Sequence, residues 1–216
     1  MILIGIFLLI GILLFLGNKA QKKYYYNTLT LIILIMAIIQ APLFYYYTSG
    51  MLAIFQVIPY LSIGVGLSIY LLLPFYKKTD QLKTKFHKFG LTTAITLGLI
   101  SLLFGSSIVE KLDWVMRRKT RDTIVTNIKH EIQNRKTLNS YNIEKWNFPP
   151  ISNGRKEIDI SKGEKGELTI IFYIDQGFID HFSAFVYTND SNELKGFYTF
   201  GASVKQLDCN WYRVSQ

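Results

Sequence analysis

Four long apolar runs occupy the first half of the chain, at residues 1–17, 28–47, 51–76 and 91–109. A helix rises about 1.5 Å per residue, so about 20 apolar residues cross the hydrocarbon layer of a bilayer. Each run is close to that length, and none contains Asp, Glu, Lys, Arg or His. The pattern therefore predicts a bundle of four transmembrane helices over residues 1–109.

The fourth run passes without a proline into a charged segment, residues 110–138, whose apolar positions keep a helical spacing. The spacing is set by Ile108, Leu112, Val115 and Met116, then by Ile124, Val125, Ile128 and Ile132. Apolar residues three and four apart share one face of a helix. We expect the last membrane helix to continue out of the lipid as a stalk.

Beyond the break at Asn147 to Gly154 the apolar period changes from helical to alternating, which is typical of strands. Strand-like segments fall at residues 157–160, 167–175, 182–188, 196–205 and 210–214, with a polar turn at 189–193. A sheet of this size must bury one face. The predicted fold is therefore a membrane bundle followed by a small α+β domain, residues 110–216, in which the long helix packs on a four- to five-stranded antiparallel sheet.

Small residues recur on one face of the fourth run, at Ala94, Gly98, Ser101 and Gly105. Small side chains let a neighbouring helix backbone approach closely. Packing inside the bundle is the preferred interpretation, with self-association as the alternative.

The positions of the basic residues predict how the chain sits in a membrane. The net charge is +9, and the lysines crowd beside the apolar runs, at Lys19, Lys22, Lys23, Lys77, Lys78, Lys83, Lys85 and Lys88. Short cytoplasmic loops are rich in Lys and Arg, and the connection at residues 48–50 has none. We expect a multi-pass cell-membrane protein with its N-terminus and α+β domain outside the cytoplasm, and no nucleic-acid partner. The five basic residues just beyond the fourth run, from Lys111 to Arg121, favour the opposite orientation, against eight in the other two loops. Residues 1–17 are interpreted as a retained helix, because no Lys or Arg precedes the run and no small-x-small cleavage site follows it. Cleavage would invert the orientation of the rest of the chain.

Two surface features mark candidate interaction sites. Four cations, Arg117, Arg118, Lys119 and Arg121, follow the fourth run, either as a solvated face or as a contact for anionic lipid headgroups. Five aromatic residues, Tyr173, Phe185, Tyr187, Tyr198 and Phe200, are predicted on the uncovered face of the sheet. They form either a partner-binding face or ordinary cross-strand pairs. The triplet Tyr45 to Tyr47 is expected in the headgroup layer.

Catalytic chemistry finds little support in the sequence. His181 and Ser183 share a strand face but lack a nucleophile elbow, and His130 lacks the second histidine of a zinc-binding helix. Cys209 is the single cysteine, with no neighbour that would activate a thiol. No cofactor or metal is predicted.

Three hypotheses for function follow from these patterns. The first is a non-enzymatic membrane protein whose extracytoplasmic domain binds a partner protein or an envelope component. The second is an oligomeric pore or membrane-perturbing effector regulated by that domain. The third is a hydrolase that uses His181 or Cys209. The lipid bilayer is a partner in all of them, and homo-oligomers are compatible with the first two.

Overall fold

The computed structural model describes residues 22–48, 50, 53–76, 85–134, 139–146, 148–153, 156–163, 166–175 and 182–216. The predicted span at residues 1–17 and the candidate His181 lie outside the described residues. Three described helices are long and apolar enough to cross a membrane, with candidate spans at Tyr26–Tyr47, Ala53–Leu73 and His87–Gln133. These correspond to the second, third and fourth predicted spans.

The three helices are α1 (Lys22–Tyr47), α2 (Ala53–Tyr76) and α3 (Lys85–Asn134). Helix α3 is unbroken over 50 residues, so the fourth apolar run and the charged segment form one helix, as predicted. His87 lies in the first turn of α3 and is buried, with its ring nitrogens 2.7 Å from Thr30 Oγ1 and 3.2 Å from the Leu71 carbonyl oxygen.

The chain divides into two compact units. The helical unit comprises Met1–Leu43 and Ala53–Ser106, and the α+β unit comprises Phe44–Leu52 and Ser107–Gln216. The α+β unit therefore includes the end of α1 and the connection to α2, a segment that the apolar pattern assigns to the membrane part. It also takes the second half of α3.

Within the helical unit, α1 and α3 approach closely at small residues, as predicted for packing inside the bundle. The α-carbon of Gly98 lies where an added Cβ would be 3.9 Å from Ala37 Cβ, and at Gly105 it would be 2.7 Å from Ala41 Cβ. Gln40 Nε2 also donates a hydrogen bond to the Gly98 carbonyl oxygen at 3.3 Å. The small-residue face of α3 is thus covered by α1.

The α+β unit contains a six-stranded antiparallel sheet in the order β1-β2-β3-β4-β6-β5. Its strands are β1 (Ser140–Asn142), β2 (Glu157–Lys162), β3 (Leu168–Asp175), β4 (Ser183–Thr188), β5 (Ser203–Asp208) and β6 (Trp211–Ser215). The sheet has one strand more than the largest predicted number, because the short β1 adds to the edge of β2.

A short helix replaces part of a predicted strand. Residues 196–199, expected as the start of a strand, belong to α4 (Ser191–Thr199), which connects β4 to β5. Asp190 caps this helix, since its side chain accepts a hydrogen bond from the Asn192 backbone N–H at 2.8 Å. The polar residues predicted as a turn at 189–193 thus include the N-cap and the first turn of α4, since Asp is a favoured N-cap residue.

The core of the α+β unit lies between α3 and one face of the sheet, as predicted. Ile124, Val125 and Ile128 of α3 are buried in one apolar cluster with inward-facing strand residues. The strand residues include Ile158, Ile170, Phe172, Phe185 and Trp211, and the cluster also contains Tyr45 from the end of α1. The opposite face of the sheet carries a smaller cluster of Ala184, Val186, Ala202 and Val214, against which Phe197 of α4 packs.

Candidate functional site

A buried carboxylate, Asp113 of α3, is the centre of the most concentrated polar arrangement described in the α+β unit. Its side chain is 1% exposed. A carboxylate removed from water needs opposite charge and hydrogen bonds to stay ionised. Four side chains supply them: Tyr45, Tyr46, Arg117 and Arg121. These five residues are called the Asp113 cluster below.

Both oxygens of Asp113 are shared between a tyrosine and an arginine. Oδ1 accepts hydrogen bonds from the Tyr46 hydroxyl at 2.8 Å and from Arg117 Nη1 at 3.2 Å. Oδ2 accepts from the Tyr45 hydroxyl at 3.4 Å and from Arg121 Nη2. The carboxylate thus has four donors, which leaves little capacity to accept a proton from a substrate.

The two guanidinium groups are stabilised by further contacts. Arg117 donates to the Pro149 and Pro150 carbonyl oxygens at 2.6 and 2.7 Å, so it also fixes the loop before β2. Arg121 lies over the Phe185 ring at 4.6 Å and donates to the backbone carbonyl oxygen of Asp113 at 3.3 Å. Its Nε is buried without a hydrogen-bond partner, which agrees with its position over an aromatic face.

Helical spacing brings the charged members together. Asp113, Arg117 and Arg121 are four residues apart in α3, so they share one face of the helix. The tyrosines come from the end of α1, where the Asn153 side-chain amide donates to the carbonyl oxygens of Tyr45 and of Ile174, both at 2.6 Å. The segment around Tyr45 is thereby joined to both α3 and β3.

The cluster is suited to holding segments together rather than to catalysis. A general base needs a free lone pair facing a substrate, and a nucleophile needs a base beside it. The oxygens of Asp113 are occupied by donors, and the charged partners are buried. In the part of the chain that the structure describes, no group of three or more His, Cys, Asp or Glu side chains is placed to hold a metal ion.

The five aromatic residues predicted to share one sheet face do not share it. Phe185 and Tyr187 are buried on the face covered by α3. Phe172 is the register partner of Phe185, so Tyr173, the next residue in β3, faces the opposite side and packs with the smaller cluster. Tyr198 lies in α4 and Phe200 directly follows it, with 59% and 75% of their surface exposed. The prediction was wrong because the phase of β4 was not fixed by its own sequence and because α4 replaced a strand.

The four cations predicted to contact headgroups do not all face outward. Arg117 and Arg121 face inward to Asp113, so the prediction is wrong for Arg121, which is 2% exposed. Arg118 is partly exposed and forms ion pairs with Asp208 and, at 3.8 Å, with Asp122. Lys119 is exposed. The spacing of Asp113, Arg117 and Arg121 was the signal in the sequence that separates the inward from the outward cations.

Tyr45, expected in the headgroup layer, is instead 7% exposed and belongs to the α+β core. Neither Tyr45 nor Tyr46 could be linked to Asp113 by sequence, because more than 60 residues separate them along the chain.

The other residues considered for chemistry lie apart from this cluster. Cys209 is exposed in the turn between β5 and β6, where its backbone N–H donates to Asp208 Oδ1 at 2.7 Å. His130 is exposed on α3.

The helical unit contains a cavity of about 230 Å³ whose lining is mainly apolar, with Gln40, Tyr60 and Ser68 as polar contributors. Such a lining fits a hydrocarbon chain better than a hydrated ion.

Comparison with protein families, with curated proteins and with solved structures finds no match to this chain. Function is therefore inferred from the chain's own residues.

Proposed function

We propose that the chain is a non-enzymatic integral membrane protein whose α+β unit, outside the cytoplasm, binds a partner protein or an envelope component. The observation that carries the proposal is the exposed aromatic pair Tyr198 and Phe200 at the end of α4. Large exposed aromatic side chains are enriched at protein interfaces, where they contribute much of the binding free energy.

The backbone beneath this pair is fixed by hydrogen bonds. The Phe200 N–H donates to the Gly196 carbonyl oxygen at 3.1 Å, and the Ala202 N–H donates to that of Phe197 at 3.0 Å. Gln216 Nε2 donates to the Phe200 carbonyl oxygen at 3.0 Å. Aromatic side chains on an ordered backbone lose little conformational entropy when they bind. This favours recognition over a purely structural role for the pair.

The neighbouring strand β5 strengthens the proposal. It is the last strand of the sheet, and no further strand pairs with its outer edge in the part of the chain that the structure describes. Tyr198 is close to it, with its hydroxyl 3.5 Å from the Val204 carbonyl oxygen. An extended partner segment can add to such an edge while its side chains contact an adjacent apolar surface.

The Asp113 cluster supports the proposal that the α+β unit is anchored to a membrane. Tyr45 and Tyr46 end a helix that is long enough to span the bilayer, and their hydroxyl groups donate to Asp113 inside the α+β unit. The end of α1 is thereby joined to the α+β unit by buried contacts.

Site-specific photocrosslinking in cells tests the proposal. A photoactivatable phenylalanine analogue replaces Tyr198, and we expect a discrete adduct that is lost on addition of Phe200→Ala. Thr126→Ala is the control, because Thr126 is also exposed in the α+β unit but lies on α3. It should leave the adduct unchanged.

Absence of any adduct at position 198 would contradict the proposal. So would adducts that persist when Phe200 is replaced, since contact with the aromatic pair would then not determine binding.

A further inference from the structure

The two faces of α3 exchange their polarity partway along the helix. From residue 108 to 116 the outward face is apolar, with Ile108, Leu112, Val115 and Met116 all exposed. These four residues, at helical spacing, are called the outer stripe. Val115 and Met116 are 75% and 77% exposed. The inward face over the same turns carries the charged residues of the Asp113 cluster.

Beyond Arg121 the usual arrangement of a water-exposed helix returns. Ile124, Val125 and Ile128 are buried, on the side that Asp113, Arg117 and Arg121 occupy earlier. The outward positions are Lys119, Thr123 and Thr126, all exposed. At 100° per residue, Lys119 and Thr126 follow Ile108, Leu112 and Val115 along one line of the helix surface. One continuous face therefore changes from apolar to polar between Met116 and Lys119.

A helix in water turns its apolar face inward and its polar face outward. This part of α3 has charged residues inside and apolar residues outside, which is the arrangement suited to lipid. Exposure of four large apolar side chains to water has a free-energy cost of about 25 cal/mol per Å² of apolar surface, and lipid removes this cost. A soluble helix shows the arrangement seen after Arg121. The reversal thus marks the place where the surroundings of α3 change from lipid to water.

From this reversal we infer that the outer stripe is embedded in the bilayer and that the boundary with water crosses α3 at Arg118 and Lys119. Lys119 is exposed there and complements anionic headgroups, while Arg118 is held in ion pairs with Asp208 and Asp122. The stripe also continues the uncharged run 91–109 of the same helix. The helix rises about 45 Å between Lys88 and Arg118, which matches a bilayer of 40–45 Å including its headgroups.

Phe148 belongs to the loop before β2, which Arg117 joins to α3 near the proposed boundary. It is 87% exposed and directly precedes Pro149, whose carbonyl oxygen accepts a hydrogen bond from Arg117. The loop that carries Phe148 is thus bonded to α3 one residue beyond Met116. Exposed aromatic side chains favour the interfacial layer, so we extend the inference to Phe148 as a bilayer contact of the α+β unit.

Lys111 is an exposed cation beside the stripe. Its alkyl chain is long enough to carry the ammonium group toward the headgroups while the stem remains among the apolar residues. A lysine about two turns below the boundary is therefore compatible with lipid contact.

Cysteine accessibility in nanodiscs tests this inference on the full chain. In a Cys209→Ser background, single cysteines replace Val115, Met116 or Phe148, and Thr126→Cys is the matched control on the same line of α3. A charged maleimide should react with the first three roughly tenfold or more slowly than with position 126, because a charged reagent does not enter the lipid. Labelling after denaturation confirms that each thiol is intact.

A second measurement distinguishes lipid from protein cover. A bimane probe on Val115→Cys should be quenched by lipids that carry a nitroxide near the headgroup, and the probe at position 126 should not. Equal labelling rates at positions 115 and 126 would overturn the inference, as would slow labelling without lipid quenching. Disulfide-linked dimers formed by Met116→Cys would assign the stripe to a second copy of the chain instead.

Discussion

At the scale of single residues, Asp113 determines how two arginines and two tyrosines are buried. Its carboxylate opposes the charges of Arg117 and Arg121, and its loss would leave both guanidinium groups without a counter-charge. Removing one partner of a buried ion pair is strongly unfavourable, because the remaining charge stays desolvated. Replacing one carboxylate oxygen of Asp113 by an amide nitrogen should therefore lower the free energy of unfolding.

Asp113→Asn is expected to lower the free energy of unfolding by about 3–5 kcal/mol, the range for breaking a buried ion pair. Unfolding by SDS titration can be followed by tryptophan fluorescence, since the Trp114 ring lies 5.1 Å from that of Phe185 and 5.4 Å from that of Trp211. Combining Asp113→Leu with Arg121→Met should recover part of the loss relative to Asp113→Leu alone.

Asp208→Asn is the control, because it removes the partner of Arg118 in an ion pair at the surface. Its effect should lie within about 1 kcal/mol, as for other exposed pairs. If Asp113→Asn behaved like Asp208→Asn, the cluster would not hold the α+β unit together.

At the scale of elements, the contact of α1 with α3 depends on the absence of a side chain at Gly105. An added Cβ would lie 2.7 Å from Ala41 Cβ and 3.3 Å from Ser101 Oγ. Ala41 has no flexible side-chain end to move, so the helices themselves would have to separate.

Gly105→Ala should destabilise the helical unit by about 1–3 kcal/mol, the usual cost of overpacking. The loss can be measured as a lower SDS midpoint by far-UV circular dichroism. Gly66→Ala is the matched substitution on α2, where an added Cβ meets nothing within 4 Å. It should be neutral or gain up to about 1 kcal/mol from helix propensity. Equal losses in both variants would mean that glycine flexibility, not helix contact, is what matters at position 105.

The elements that could be predicted were those with strong periodicity. The apolar run and the spaced isoleucines predicted the continuity of α3, and alternation predicted β3. The face of β4 could not be predicted, because Ala184, Phe185, Val186 and Tyr187 are all apolar and all buried, so alternation is lost. The Asp113 cluster combines helical spacing, which the sequence contains, with Tyr45 and Tyr46, which only the tertiary fold brings near.

At the scale of the whole molecule, the orientation in the membrane decides which partners are available. The lysine distribution predicts that the α+β unit lies outside the cytoplasm. Cys209 is the single cysteine of the chain and is exposed in this unit. Labelling of this thiol in the native protein therefore reports the side of the membrane on which the unit lies.

A membrane-impermeant maleimide should label Cys209 in intact spheroplasts as fully as in lysed ones, because the reagent reaches only external thiols. Cys209→Ser should abolish the signal. Asp80→Cys in that background, in a loop predicted to be cytoplasmic, should react only after lysis. Labelling of Cys209 that requires lysis would place the α+β unit in the cytoplasm.

The contribution of Tyr45 to the sheet core has a consequence for biosynthesis. The α+β unit is discontinuous in sequence, since residues 44–52 are separated from the remainder by α2 and the first part of α3. Residues late in the chain complete a core to which Tyr45 contributes, so a copy that lacks the segment around Tyr45 has an incomplete core. We expect such a copy to expose apolar surface and to be degraded faster than the intact chain.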